Sequence, residues 1–169
     1  MQFTTTLQKF DSPLWGFHIS VPDAISKEFL EAGSKRVVCV LNGTEEFQCA
    51  LMPKGDGSYF ININKRLRDK LKLSPGSEVR AALRKDDSEY GLPMPEELAE
   101  LLALDEEGDR LFHALTPGKQ RTLLFIAGSP KTADTRIKKA VVVIEHLKAN
   151  GGKINFKQLN EDMKEANRI

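Results

Sequence analysis

The sequence predicts an α+β protein in which an antiparallel β domain precedes an α-helical module. Up to about residue 86, short runs alternate apolar and polar side chains between turn signals, which is the pattern of half-buried strands. Beyond that point, apolar side chains recur at the spacing of an amphipathic helix. The stretch between them is polar and then rich in Gly and Pro, as linkers are. We therefore expect a small antiparallel β-barrel domain at 1–86, a linker at 87–95 and a helical module at 96–169.

Six alternating runs build the predicted β domain, and two short helices interrupt them. The runs lie at 3–7, 15–21, 37–41, 47–51, 59–63 and 79–83. The first helix covers 22–32, with Pro22 near its start, and the second follows Asn64, whose side chain is suited to cap it. Strands this short and this evenly spaced close most simply into an antiparallel barrel.

An Asn-Gly dipeptide after the third run looks like a two-residue hairpin turn. That turn would set the inward side chains of one strand opposite the outward side chains of the next, which the pleat forbids. A loop of odd length restores the match, so we expect a bulge or a longer loop, 42–46. Cys39 then faces Cys49, and we expect both to be reduced core residues.

The predicted helical module contains four helices and a weaker C-terminal tail. The fourth helix is the best defined, since Asp134 or Thr135 is placed to cap it and Gly151-Gly152 to close it. Its expected buried stripe comprises Ile137, Ala140, Val141, Ile144 and Leu147.

Composition narrows the class of function. Lys and Arg total 25 against 24 Asp and Glu, and the resulting net charge of +1 argues against a dedicated nucleic-acid binder. Mean hydropathy is −0.36, and no apolar run approaches the roughly 20 residues of a membrane helix. The N-terminus lacks the pattern of a signal peptide. We therefore expect a cytoplasmic protein that does not contact a membrane.

No motif of an established catalytic chemistry stands out. The sequence has no nucleophile elbow, no Walker loop and no dinucleotide fingerprint. The His, Cys and Asp residues show no metal-ligand spacing. We expect no cofactor and no metal, and we favour a protein that is not an enzyme.

The candidate ligand-binding residues are Trp15, His18 and Lys54, at the mouth of the predicted barrel. His18 falls on the strand face opposite Phe17 and Ile19, where a solvated side chain is the simpler expectation. A ligand-binding or acid–base role is the alternative, because imidazole titrates near neutral pH.

Charge is segregated along the second half of the chain. Residues 96–109 hold seven acidic side chains and no basic one, whereas residues 110–139 hold seven basic side chains and one acidic one. We favour the interpretation that the acidic early helices pair with the basic later ones. The alternative is an anion-binding or nucleic-acid-binding surface. Its candidate residues, drawn from two basic clusters, are Lys65, Arg66, Arg68, Arg136, Lys138 and Lys139.

Short segments in order along the chain resemble two known families. Those at 3–7, 15–22, 51–59 and 73–79 resemble a small bacterial barrel domain of unknown function. Those at 115–117 and 134–139 resemble the helical module called the YdeI/OmpD-associated, or bacteriocin-protection, family. The resemblance implies a double-split β-barrel of the AbrB/MazE/MraZ type followed by that module, and it implies no established activity.

Three functions remain open at this stage. The first is a non-catalytic interaction module in the bacterial cytosol, whose partner would be another protein. The second is a weak nucleic-acid binder, since AbrB-like relatives bind DNA. The third is a small-ligand binder or enzyme with its site at the barrel mouth. Fold analogy alone does not decide among them.

Overall fold

Antiparallel strands fill the first half of the chain and helices fill the second, so the predicted α+β class is confirmed. These features come from a computed structural model, which describes residues 1–11 and 16–168. The chain divides into two compact units, Met1–Asp87 and Ser88–Ile169.

The described part of the first unit contains eight strands and two helices. The strands are β1 (Gln2–Thr6), β2 (Gln8–Lys9), β3 (Phe17–Val21), β4 (Arg36–Leu41), β5 (Glu45–Ala50), β6 (Met52–Pro53), β7 (Tyr59–Asn62) and β8 (Glu78–Lys85). The helices are α1 (Asp23–Glu31) and α2 (Lys65–Leu71).

The strands pair into two four-stranded antiparallel sheets. The first sheet has the order β1-β8-β4-β5 and the second has the order β2-β3-β7-β6. Only Leu7 separates β1 from β2, and only Leu51 separates β5 from β6, so the chain passes directly from an edge of one sheet to an edge of the other. Both leucines are 1% exposed. Their backbone N–H groups donate to the carbonyls of Ser77 and Lys35 at 2.9 and 2.8 Å.

The inward side chains of both sheets form one apolar core, as the alternation predicts. Ile19 and Ile61 pair directly in the second sheet, and both are fully buried. Helix α2 adds Leu67, and the predicted cap is confirmed because the Leu67 N–H donates to Asn64 Oδ1 at 2.9 Å. Burying each aliphatic side chain of this size contributes roughly 1.5–3 kcal/mol.

The β4–β5 hairpin has the odd loop length that the pleat requires, but the predicted register is wrong by two residues. The loop holds three residues rather than five, so Cys39 pairs with Phe47 and not with Cys49. Asn42 adopts the left-handed conformation with a φ of 50°. Its Oδ1 accepts a hydrogen bond from the Arg80 N–H in β8 at 2.9 Å. This tie to β8 stabilises the tighter turn.

The described residues of the second unit form five helices. They are α3 (Glu96–Leu104), α4 (Glu106–His113), α5 (Pro117–Gly128), α6 (Ala133–Ala149) and α7 (Phe156–Ala166). Helix α6 packs against all four others and is the centre of this unit. Across the described ranges, none of the helices combines the length and the apolar character needed to cross a membrane.

Helix α6 differs from its prediction at both its start and its buried face. Its N-cap is Thr132, whose Oγ1 accepts from the Thr135 N–H at 3.3 Å, and neither predicted cap serves. Ile137 and Val141 are 45% and 41% exposed, so their assignment to the buried stripe is wrong. The buried residues of this helix are Ala140, Val143, Ile144, His146 and Leu147. Because α7 packs on α6, burial extends to the position of His146.

Candidate functional site

Two of the three residues predicted to bind a ligand come together on the outer face of the second sheet. Strand side chains alternate, so His18 and Ser20 point away from the core that Ile19 enters. Lys54 follows β6, and its Nζ lies 2.5 Å from Ser20 Oγ. The third predicted residue, Trp15, lies outside the described residues, and its role stays a prediction.

His18 is buried beneath aromatic rings, so the expectation of a solvated side chain is wrong. It is only 2% exposed. Phe10 stacks on its imidazole with 3.6 Å between ring centroids and an 11° angle between ring planes. Phe60 meets both rings edge-on, at 4.9 Å from Phe10 and 5.4 Å from His18. Phe10 is held over this face because its N–H donates to the Gly16 carbonyl at 3.1 Å.

The environment of His18 keeps its imidazole neutral. Burial lowers the pKa of this ring, a backbone hydrogen bond with Gly16 acts in the opposite direction, and the positive charge of Lys54 lowers the pKa further. Within the described residues, the buried Nδ1 of His18 has no hydrogen-bond partner. Native proteins seldom leave such an atom unpaired, since doing so costs about 1–3 kcal/mol.

A chain of hydrogen bonds runs beside this aromatic cluster. Lys54 Nζ donates to Ser20 Oγ, and Ser20 Oγ donates to Gln8 Oε1 at 3.3 Å. The hydroxyl and the amide oxygen are thereby engaged, whereas the other N–H groups of the ammonium and the NH₂ of Gln8 have no hydrogen-bond acceptor among residues 1–11 and 16–168. Lys54 also lies 5.9 Å from the centroid of the Phe10 ring. The unused groups of this donor chain (Lys54, Ser20 and Gln8) suit an oxyanion.

The predicted anion-binding residues of α2 lie in three different environments. Lys65 forms an exposed ion pair with Asp69 at 2.6 Å. The guanidinium carbon of Arg68 lies 3.8 Å from the centroid of the Phe17 ring. Arg66 is exposed, and no ion pair joins it to another described residue. The helix therefore does not present one continuous cationic face.

In the helical unit, Arg136 is engaged by its own module. Its Nε donates to Glu97 Oε1 at 2.8 Å. Its Nη1 donates to the carbonyls of Pro130 and Lys131 at 3.0 and 3.1 Å. The pair joins acidic α3 to basic α6, so the favoured interpretation of the charge segregation is confirmed here.

The other two predicted residues of α6 differ from Arg136 in their surroundings. Lys138 is exposed and Lys139 is half-buried. Lys148, further along the same helix, forms an ion pair with Asp105 at 2.9 Å. This is another ion pair between the acidic early segment and the basic late helix. Of the predicted trio on α6, only Lys138 and Lys139 are left for an external anion.

Sequence reasoning missed a hydrogen-bonded trio at the start of the helical unit. The Tyr90 hydroxyl lies 2.8 Å from His113 Nε2, and His113 Nδ1 lies 2.9 Å from the Asp109 carbonyl oxygen and 3.1 Å from Asp109 Oδ1. Burial raises the pKa of Tyr90, and the negative charge of Glu89 raises it further, so the phenol stays protonated. A protonated phenol that donates a hydrogen bond to imidazole fixes the segment around Tyr90 to the end of α4. Such a phenol is not an activated nucleophile. The i, i+4 spacing of Asp109 and His113 was the available signal, but Tyr90 approaches from another segment.

Metal-binding clusters and cysteines are the remaining candidates for chemistry among the described residues. Among residues 1–11 and 16–168, no three or more His, Cys, Asp or Glu side chains are arranged to hold a metal ion. Cys39 and Cys49 are free thiols in that range. Burial raises the pKa of Cys49 to about 12 and also raises that of Cys39.

Comparison with protein families assigns both halves of the chain. Residues 3–83 match the family described as Domain of unknown function (DUF1905). Residues 92–150 match the family described as Bacteriocin-protection, YdeI or OmpD-Associated. A match to DUF1905 is therefore followed along the chain by a match to the YdeI/OmpD-associated family, and the resemblance inferred from the short segments is confirmed. No curated protein matches the chain.

Proposed function

We propose that the protein is a non-catalytic binding module whose N-terminal unit takes a small oxyanion at the donor chain. The observation that carries the proposal is the direction of the hydrogen bonds from Lys54 through Ser20 to Gln8, which leaves donors unused. Binding sites for small molecules combine apolar walls with a few convergent polar groups. The Phe10 ring, stacked on His18, provides such a wall beside the ammonium.

The same hydrogen bonds argue for binding rather than catalysis. A serine nucleophile needs a neighbouring base that accepts its proton. Here Lys54 donates to Ser20 Oγ, and the hydroxyl proton is directed to Gln8. The imidazole of His18 is sealed under Phe10. In the part of the chain that the structure describes, no base is therefore poised to activate Ser20.

Two observations weigh against the nucleic-acid alternative. Phosphate binding draws on cations that are not already paired within the protein. Arg136 is held by Glu97 and two carbonyls, and Lys65 is paired with Asp69. We therefore rank nucleic acid below a small oxyanion.

We propose further that the two sheets close into a double-split β-barrel of the AbrB/MazE/MraZ type. The support for closure is that the chain turns from sheet to sheet at the buried residues Leu7 and Leu51. We retain 1–86, 87–95 and 96–169 as the proposed domain, linker and module. We also propose a location in the bacterial cytosol, where the free thiols Cys39 and Cys49 stay reduced.

Isothermal titration of the full chain with methyl phosphate tests the proposed site. We expect Lys54→Met to weaken binding at least about tenfold, because it removes the only cation of the donor chain. Lys27→Met is the matched control, since Lys27 lies on α1 of the same unit and is 74% exposed. Trp15→Phe tests whether the predicted third residue belongs to the site. Equal weakening by Lys54→Met and Lys27→Met, or no binding by the wild type, would contradict the proposal.

A further inference from the structure

A groove of about 500 Å³ opens beside α2, where β3 begins and β7 ends. Phe17 and Phe47 contribute aromatic walls, Asn62 and Asn64 contribute amides, and Arg68 contributes a charge. Its volume lies in the range of roughly 300–1,000 Å³ that is typical of small-molecule pockets. None of its lining residues belongs to the donor chain, so it is a separate site.

Arg68 is held in place without being neutralised. Its guanidinium stacks over the Phe17 ring at 3.8 Å, and its Nη1 donates to the Ile63 carbonyl at 2.8 Å. No carboxylate forms an ion pair with it among the residues that the structure describes. Apart from the bond to Ile63, the guanidinium N–H groups have no acceptor within the described ranges. A fixed planar cation of this kind is suited to hold a carboxylate through two parallel hydrogen bonds.

The other polar groups of the groove compete little for that cation. Asn64 Oδ1 is engaged by the Leu67 N–H at 2.9 Å, which leaves the amide NH₂ of Asn64 as a donor. Gln48 donates to the two oxygens of Asp86 at 3.1 and 3.3 Å, so its NH₂ is already engaged by that carboxylate. Burial raises the pKa of Cys49 to about 12, and its thiol is therefore a neutral part of the wall.

A second cation adds positive potential near the groove. Lys9 Nζ lies 5.5 Å from the centroid of the Phe17 ring on which Arg68 stacks. Charges at this range raise the local concentration of an anion. The aromatic walls favour a ligand whose remainder is apolar.

We propose that this groove is a second ligand site, which takes a small carboxylic acid with an apolar body. The carboxylate lies on the free edge of Arg68 and the apolar body lies against Phe47. The site differs from the donor chain in the ligand it selects, because it requires an apolar body as well as a negative charge.

Isothermal titration of the full chain with 4-phenylbutyrate tests this site, and 4-phenylbutyramide is the neutral comparison. We expect the amide to bind at least about tenfold more weakly than the acid. Arg68→Lys keeps the charge but loses the planar fork, and we expect a loss of about tenfold or more. Arg66→Lys is the matched control on the same helix, and we expect binding within about twofold of the wild type.

A second variant separates a binding defect from a folding defect. Asn64→Asp preserves the helix cap, because Asp and Asn cap about equally well. It also places a negative charge beside Arg68, so we expect at least about tenfold weaker 4-phenylbutyrate binding at an unchanged melting temperature. Lys54→Met, which impairs the donor chain, is expected to leave 4-phenylbutyrate binding intact. The proposal is overturned if the wild type does not bind the acid, if the amide binds as tightly, or if neither Arg68→Lys nor Asn64→Asp weakens binding.

Discussion

Two buried histidines, one in each unit, show how differently the units use their polar groups. In α6, His146 Nε2 accepts from the Asn155 N–H at 3.1 Å, and its Nδ1 lies 3.3 Å from Asp162 Oδ2. In β3, His18 is stacked on Phe10, and its Nδ1 has no partner within the described residues. The helical unit uses its buried imidazole to hold α7 against α6, whereas the β unit does not use Nδ1 of His18 in this way.

The arginines repeat the contrast. Arg136 is bound to the carboxylate of Glu97 and to two carbonyls, and these contacts fix the start of α6. Arg68 donates to one carbonyl, and none of the carboxylates in the described residues forms an ion pair with it. A cluster of basic residues in a sequence therefore does not mark a binding surface until the internal partners of each residue are known.

The largest expected effect is on the helical unit when His146 loses its nitrogens. His146→Phe leaves the Asn155 N–H without its acceptor, so we expect the free energy of unfolding to fall by about 2–3 kcal/mol. His18→Phe keeps the ring stack and removes the unpaired Nδ1, but it also loses the backbone hydrogen bond with Gly16, so we expect these effects to offset each other to within about 1 kcal/mol at neutral pH. Urea unfolding, with hydrogen exchange at the Asn155 amide, measures both. An unchanged exchange rate at Asn155 in His146→Phe would contradict the role of His146 in holding α7 against α6.

A smaller effect is expected from acid, through His18. Burial lowers the pKa of the folded imidazole below its ordinary value of 6.5, so the unfolded chain binds the proton more readily. The contribution of His18 to stability is complete above that value and declines as the pH falls from it toward the lowered pKa. We expect His18→Phe to remove this part of the acid dependence. Urea unfolding of both proteins between about pH 7.5 and 5.5 is the measurement. Parallel acid dependence in the two would show that His18 does not titrate as described.

Much of the fold could be predicted because it depends on local patterns. Strict alternation identified inward residues such as Ile19 and Ile61, and a short polar side chain identified the cap at Asn64. These signals are local because a strand face and a helix cap each involve only a few neighbouring residues. The hairpin loop length was missed because it depends on a hydrogen bond to Arg80, 38 residues away.

The candidate site was only half predictable for the same reason. His18 and Lys54 were identified as polar residues near the barrel mouth, and they do meet on one sheet face. The covering ring of Phe10 follows a strand of two residues and has no periodic signal. Whether Arg136 faces solvent depends on Glu97, 39 residues away. Long-range contacts of this kind leave no trace in a single sequence.

A further contrast separates Arg136 from its neighbour Lys138. Arg136→Met breaks the contacts with Glu97 and two carbonyls, so we expect a lower melting temperature for the helical unit, by less than in His146→Phe. Lys138→Met removes an exposed charge on the same helix, and we expect no measurable change. Thermal unfolding by circular dichroism compares the two. Equal melting temperatures would mean that Arg136 is not a structural residue.

The smallest expected effect concerns the two thiols. The thiolate is the reactive form of cysteine, and burial raises the pKa of both Cys39 and Cys49. We expect neither to be alkylated by iodoacetamide at about pH 8 until urea unfolds the chain. Mass spectrometry of the labelled protein gives the extent of reaction. Rapid labelling of the native protein would contradict the proposal that the N-terminal unit binds its ligand without a reactive thiol.

The most direct test of binding by the N-terminal unit is a two-dimensional amide NMR titration of the full chain with methyl phosphate. We predict that the largest shifts fall on Gln8, His18, Ser20 and Lys54, and that the amides of α6 do not move. Largest shifts at Arg136, Lys138 and Lys139 would place anion binding on the helical unit and contradict the assignment.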